Sequence, residues 1–255
     1  MTTLPPPLPN VSAPPIRRVR HALGGVWRLT WHRTFSRSAL GVTFVLLVGL
    51  GALTALAVPP GNSAHFREWS TGFYVTLLLP VGVFLAAAGA VRDELKPGSV
   101  DYVLTRAVPR PAFFAFKYLS LLGCLQLLAL LATSVVIGVG LWRGVPDLAA
   151  RAGQLVLAQT AAVTAFSALG ILCGTLTARY LVLGLVYGAV VEVGIGRIPM
   201  QINRLSINHH VRDLLDDIHA PTALSLIALI TLVLLAAATL VFATREFAGD
   251  QVKDA

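Results

Sequence analysis

The feature that most constrains this chain is a series of apolar runs, each close to the ~20 residues that a helix needs to cross a bilayer. Lipid offers the backbone no hydrogen-bonding partner, so a spanning run must pair its own N–H and C=O groups, which a helix does. The runs lie at 39–58, 71–91, 114–141, 154–177, 180–198 and 222–243. The sequence therefore predicts an all-α integral membrane protein with six transmembrane helices.

The charge composition agrees with a membrane protein. Charged residues make up 13% of the chain, whereas a soluble domain carries about 25%. The net charge of +8 raises the question of nucleic acid, but the basic residues are mostly spread beside apolar runs, as membrane orientation requires. We therefore expect the lipid bilayer as a partner and no nucleic acid. Cys124 and Cys173 lie inside apolar runs without a CxxC spacing, so we expect inert thiols.

The segments outside the apolar runs divide the chain further. Residues 1–17 are rich in proline and lack an apolar core, which predicts a disordered cytoplasmic tail. Residues 18–37 alternate apolar and basic side chains and contain two tryptophans, which favours an interfacial helix. A plain basic juxtamembrane tail is the alternative for that segment. We expect residues 38–245 to form the six-span transmembrane domain and residues 246–255 to form a second cytoplasmic tail.

Lys and Arg residues indicate the orientation of membrane helices, because cytoplasmic loops are enriched in them. With the N-terminus inside, most of the 20 Lys and Arg residues fall on the inner side. We therefore predict a multi-pass protein of the cell inner (plasma) membrane with both termini in the cytoplasm. The same orientation places the segment 92–117 inside the cell.

The segment 92–117 is the longest charged stretch between two apolar runs. Pro97-Gly98-Ser99 is typical of a turn followed by a helix cap, and apolar residues then recur at helical spacing. Asp101 lies in the first turn and Arg106 near the last, as the helix dipole favours, and Pro109 ends the helix. The pattern predicts a short amphipathic helix between spans two and three. An ordinary solvated loop is the alternative.

This segment resembles a motif of ABC-transporter permease subunits of the type II exporter class. The resemblance rests on Glu94, Gly98, Ser99, Leu104, Arg106, Pro109, Arg110 and Lys117. In that family the loop carries a cytoplasmic coupling helix that docks into a separate ATPase subunit. The resemblance implies an ATPase-docking surface formed by Glu94, Gly98, Ser99, Asp101, Leu104, Arg106, Pro109 and Arg110.

The same resemblance implies an activity and a set of partners. The chain is expected to be a transport subunit rather than an enzyme, forming a translocation pathway as a dimer with an identical or related permease chain. Two copies of a cytoplasmic ABC ATPase are expected to bind ATP and Mg²⁺. No cofactor is expected in this chain, which has no GxxxxGK[ST] sequence. A membrane-embedded enzyme with its polar groups in 199–221, and a non-transporting membrane scaffold, are the alternatives.

Two groups of polar residues are further candidate sites. Glu192 lies within the fifth predicted span, where an ionisable group is a functional candidate because lipid disfavours charge. Arg197 follows closely, so the pair either gates the outer side or neutralises itself near the headgroups. The segment 199–221 is expected to form short helices at the outer surface. His209, Asp213 and Asp217 of this segment share one helical face. This face is either a metal or substrate-entry patch, or a solvated helix face near the headgroups.

Small residues four positions apart allow helices to approach closely. Such pairs occur at Ala86/Ala90, Gly170/Gly174 and Gly184/Gly188. They predict tight packing within the chain or across a dimer seam. Pro80 predicts a kink in the second span, with the freed carbonyl satisfied by a neighbouring group.

Overall fold

The computed structural model describes residues 15–95, 110–194, 206–216 and 220–244, and every regular element among them is helical. The α-helices are α1 (Pro15–Thr34), α2 (Arg37–Ala57), α3 (Ser63–Glu68), α4 (Leu79–Glu94), α5 (Arg110–Trp142), α6 (Leu148–Leu176), α7 (Tyr180–Tyr187), α8 (Ile207–Leu215) and α9 (Ala220–Thr244). A π-helical segment, Trp69–Leu78, joins α3 to α4, and a second, Gly188–Gly194, extends α7. The predicted all-α class is confirmed for the described residues.

Among the described residues, five helical stretches are long and apolar enough to cross a membrane: Arg37–Ala57, Ser63–Glu94, Pro111–Trp142, Leu148–Leu176 and Ala220–Thr244. The chain is therefore a multi-pass membrane protein. The predicted run 180–198 corresponds to a shorter apolar helix, Tyr180–Glu192, so the sixth span stays a prediction. Helix α1 lies where the interfacial helix 18–37 was predicted. The predicted helix between spans two and three falls in 96–109, outside the described residues.

The two ends of the helix bundle are distinct, and we name them by their connections. At the loop end, α4 ends and α5 begins, on either side of residues 96–109. At the far end, the α2–α3 turn meets the α5–α6 turn, because the Gly61 N–H donates to the Arg143 carbonyl at 2.8 Å. The Arg143 guanidinium also donates to the Ala55 carbonyl. Gly61 and Gly144 both adopt a φ of +69°, a conformation that favours glycine.

Helix α6 is the central helix of the bundle. In its most apolar window, 72% of the residues are buried inside the protein, against 11% in α2. Helix α6 packs against α4, α5, α8 and α9, whereas α2 contacts mainly α5 and leaves large apolar side chains exposed. Because an apolar outer surface is what lipid or a second membrane chain covers, α2 belongs to the periphery.

Glycines bring α4 and α6 into close contact. A Cβ atom built on Gly170 would lie 2.7 Å from the Phe84 carbonyl oxygen, and one on Gly174 would lie 2.7 Å from the Ala88 carbonyl oxygen. The predicted close approach at Gly170 and Gly174 is thus confirmed as packing within the chain. Gly184 packs against the Phe84 ring. Ala86 is exposed, so α4 meets α6 through Ala87 and Ala88 rather than through the predicted Ala86/Ala90 pair.

A π-helical segment, Trp69–Leu78, ends just before Pro80, and the predicted kink of the second span stays a prediction. Pro80 lies inside the continuous helical stretch Ser63–Glu94, where its missing N–H removes one backbone hydrogen bond. In a regular α-helix the Thr76 carbonyl would accept from residue 80, which has no N–H. The Asn208 Nδ2 donates to that carbonyl instead, at 3.0 Å, so a distant side chain satisfies the freed backbone acceptor.

Candidate functional site

A buried ion pair joins the two helices that flank residues 96–109. Lys117, seven residues into α5, pairs through Nζ with Oε1 of Glu94, the last residue of α4. The same ammonium donates to the Thr30 hydroxyl of α1 at 3.2 Å. Lys117 is 5% exposed and Thr30 is 4% exposed. Since a buried charge is stable only when paired and hydrogen-bonded, this cluster ties α1, α4 and α5 together at the loop end.

Further contacts fix α1 across the same end. Arg33 pairs with Asp93 at 2.7 Å, with both side chains partly exposed. The Ser120 hydroxyl donates to the Trp27 carbonyl at 3.4 Å. The Trp27 and Trp31 rings stack with their centroids 6.0 Å apart and lie close to Gly123 of α5. A displacement of α4 or α5, the two helices that flank residues 96–109, must therefore move α1 or break these contacts.

The sequence-predicted docking residues are only partly visible. Glu94 ends α4 and Arg110 begins α5. The others lie outside the described residues: Gly98, Ser99, Asp101, Leu104, Arg106 and Pro109. Their role in docking stays a prediction. Sequence reasoning included Lys117 in the family motif but missed Thr30 and the Arg33–Asp93 pair, because nothing in the order of residues indicates that α1 crosses this end.

A second polar cluster forms around Glu192, which is partly buried within the bundle. Its carboxylate accepts from the Tyr187 hydroxyl at 2.9 Å and from the Ser206 hydroxyl at 2.7 Å. It also accepts from the backbone N–H groups of Ile207 and Asn208, both at 3.1 Å. These four donors satisfy the carboxylate at the N-terminus of α8, where the helix dipole also favours negative charge. Arg197, its predicted partner, lies beyond the described residues.

Helix α8 is a short helix within 199–221, as expected, and its place at the outer surface of the membrane stays a prediction. Its first turn contacts Thr76, well inside the Ser63–Glu94 helix, and Asp216 at its other end pairs with Arg67 near the start of that helix. Helix α8 therefore runs from the bundle interior toward the far end. Ile207 is fully buried and His210 is 3% exposed. The physical reason is the Glu192 carboxylate, which supplies an interior acceptor for the free N–H groups of the helix start.

The histidines of α8 gather around one carboxylate. His209 Nε2 and His210 Nδ1 lie 3.7 and 3.8 Å from Oδ2 of Asp213. Among the described residues, no group of three or more His, Cys, Asp and Glu side chains is arranged to hold a metal ion. Asp217 of the predicted face lies outside the described part of the chain. The described geometry is that of local helix-face pairs.

A chain of hydrogen bonds links three spanning helices at mid-length. The Tyr74 hydroxyl lies 2.8 Å from the Thr133 hydroxyl, which donates to Gln159 Oε1 at 2.7 Å. Gln159 Nε2 donates to Gln126 Oε1 at 3.3 Å. Gln126 Nε2 in turn donates to the Thr160 carbonyl at 2.9 Å. Sequence reasoning missed this network, although a glutamine in the middle of an apolar run is a usable signal of an interhelical hydrogen bond.

The network ends at the protein surface. Tyr74, Thr133 and Gln159 are fully buried, whereas Gln126 is half-buried and Thr160 is exposed. An uncharged polar patch therefore opens on the outer face of α5 and α6, between apolar side chains. No protein-family model matches this chain, and no curated protein matches it significantly.

Proposed function

We propose that the chain is the permease subunit of an ATP-driven ABC exporter of the type II class. In this proposal the shorter helix Tyr180–Glu192 and the residues that follow it complete a sixth span, and both termini lie in the cytoplasm of an inner (plasma) membrane. Two such chains, identical or related, form the translocation pathway. Two copies of a separate cytoplasmic ATPase bind ATP and Mg²⁺ and dock through residues 94–110. The motif resemblance of 94–117 supports this assignment.

The observation that carries the proposal is the buried Lys117–Glu94–Thr30 cluster at the base of the 96–109 segment. A solvated loop needs no buried charge at its base, whereas a docking segment needs a rigid connection to the spans. Both helices leaving the segment are fixed to α1 and, through the α4–α6 glycine contact, to the central helix. A push from the ATPase on 96–109 would move these helices together, which is a rigid-body switch between two states.

The cargo that we propose is lipidic or amphipathic. The spans are almost uncharged, so a small ion would find few compensating charges along them. The patch at Gln126, Thr160 and Thr164 offers uncharged hydrogen-bonding groups beside apolar surface. Such a surface suits a molecule with one polar and one apolar part.

The test is affinity purification of the tagged full chain from its native membrane, with identification of co-purifying subunits and an ATP hydrolysis assay. We expect a stoichiometric ATPase. Replacing Leu104 with Asp, or Gly98 with Val, should abolish its binding while leaving membrane insertion intact. Leu8→Asp in the N-terminal tail is the matched control and should retain the ATPase. If both segment variants keep the ATPase bound, docking through this segment is wrong.

The same experiment separates the alternatives. A membrane-embedded enzyme would act without nucleotide and lose activity when His209, His210 or Asp213 is replaced. A scaffold would hold a partner stably with no ATP dependence. The variant Thr30→Val adds a finer test, because it removes a hydrogen bond of Lys117 without altering a docking residue. It should keep the ATPase bound but uncouple ATP hydrolysis from cargo movement.

A further inference from the structure

Arginines from three helical elements converge on a cleft at the far end of the bundle. A cavity of about 210 Å³ is lined by Arg67, Ser70, Thr71, Arg151, Gln154 and Asp216, above an apolar floor. It shares Arg67, Thr71, Arg151 and Asp216 with a wider opening of about 630 Å³, which Glu68 and Arg212 also line. We call the two together the far-end cleft. Its arginines come from the start of the second span, the first turn of α6, and α8.

The charges in the far-end cleft do not cancel. Arg67 is neutralised by its ion pair with Asp216. Arg151 and Arg212 make no hydrogen bond or ion pair through their side chains within the described part of the protein. Glu68 is the remaining carboxylate on the wall of the opening. Two unpaired guanidinium groups thus face one carboxylate, and the cleft keeps a positive excess that favours an anion.

The inner part of the cleft adds neutral donors and a dry floor. Thr71 and Gln154 bring a hydroxyl and an amide group to the same cavity as the arginines, whereas the Ser70 hydroxyl already donates to the Arg67 carbonyl at 3.3 Å. Beneath them lie Phe66, Leu148 and Leu155, each at most 5% exposed. The low-dielectric floor strengthens a charge-assisted hydrogen bond made above it, because it limits screening by water.

We propose that the far-end cleft binds a phosphate group, held by Arg151 and Arg212 with the hydroxyl and amide groups of the inner cavity. The planar fork of a guanidinium matches two phosphate oxygens at once, which gives arginine its preference for this ligand. The cavity of about 210 Å³ suits a headgroup or a free phosphate rather than a whole lipid. Because the cleft lies at the end of membrane-crossing helices, both sources reach it. This site is independent of the proposed transport activity and of the 94–110 docking segment.

The test is isothermal titration calorimetry of the purified full chain in a phosphate-free detergent buffer. The probes are inorganic phosphate and a short-chain phosphatidic acid, with the matching diacylglycerol as the control without phosphate. Binding of both phosphate probes assigns recognition to the phosphate alone, whereas binding of phosphatidic acid only assigns it to a lipid headgroup. In either case diacylglycerol should not bind. Binding of neither phosphate probe would overturn the proposal.

Variants assign the binding to this cleft. Arg151→Gln or Arg212→Gln should weaken binding about tenfold each, since each removes one charged donor. Arg37→Gln at the loop end is the matched control and should bind as the unaltered protein does. Glu68→Gln should tighten binding severalfold by removing the opposing carboxylate. Because these side chains are exposed, unfolding midpoints should stay unchanged. Unchanged affinity in both arginine variants would contradict the assignment.

Discussion

The buried pair of Lys117 and Glu94 yields the sharpest prediction about this molecule. The Lys117 side chain is 6% exposed and that of Glu94 is 18% exposed. Lys117→Met leaves the Glu94 carboxylate in that environment without its cation, which costs about 3–5 kcal/mol of the free energy of unfolding. Glu94→Gln leaves the Lys117 ammonium without its counter-ion in the same way. The double variant removes both charges and should cost far less than the sum of the two single variants.

The measurement is a double-mutant cycle, with unfolding in a mild detergent followed by circular dichroism as a denaturing detergent is added. We expect an interaction free energy on the order of 3 kcal/mol between Lys117 and Glu94. The matched control is the cycle of Arg33→Met with Asp93→Asn, a pair that joins α1 to α4 at the same end of the bundle. Those side chains are 61% and 34% exposed, so water screens the pair and its interaction should stay below about 1 kcal/mol.

The comparison of the two cycles shows whether Lys117 and Glu94 form a buried, desolvated pair. If the Lys117–Glu94 interaction is no larger than the Arg33–Asp93 interaction, the cluster is not a buried, desolvated pair. In that case the cluster does not rigidly join α1, α4 and α5. Single variants as stable as the unaltered protein would lead to the same conclusion.

Three further predictions use the same unfolding assay or hydrogen exchange. Gly174→Ala should lower the free energy of unfolding by about 1–3 kcal/mol, because the new Cβ atom would lie 2.7 Å from the Ala88 carbonyl oxygen and force α6 away. The control Gly153→Ala, with open space around it, should raise the free energy of unfolding by up to about 1 kcal/mol. Equal effects of the two variants would refute the close contact. Glu192→Gln should speed backbone amide hydrogen exchange in the first turn of α8, because the side-chain amide replaces one oxygen acceptor with a donor. Unchanged exchange rates would show that the Glu192 carboxylate does not cap α8. Gln159→Leu should lower the free energy of unfolding by about 0.6–2 kcal/mol, because it leaves the Thr133 hydroxyl without its acceptor. An unchanged free energy of unfolding would show that the network does not stabilise the fold.

The spanning helices were predictable from the sequence because the constraint on them is local. Each apolar run must pair its own backbone groups in lipid, so its length alone indicates a helix. The predicted run 39–58 corresponds to Arg37–Ala57 and the run 222–243 to Ala220–Thr244. The run 180–198 was harder to predict as a spanning helix. Its described helix, Tyr180–Glu192, is shorter than the run, and the N-terminus of α8 contacts it at Glu192.

Which face of each helix is buried was not predictable. The most apolar part of α2 is slightly more apolar than that of α6, yet 11% of its residues are buried inside the protein, against 72% in α6. In a soluble protein, polar residues identify the outer face, but lipid accepts the same side chains as a protein core does. Hydropathy therefore indicates that a helix spans and not where it lies.

Polar partners far apart in sequence were decided only by the tertiary packing. Glu192 was recognisable as a candidate, but its donors at Ser206, Ile207 and Asn208 come from a helix that turns back into the bundle. Lys117 was recognisable in the motif, but Thr30 reaches it because α1 crosses the loop end. In the interior of a membrane protein each charge needs such partners, and only the packing of whole helices against one another brings them within hydrogen-bonding distance.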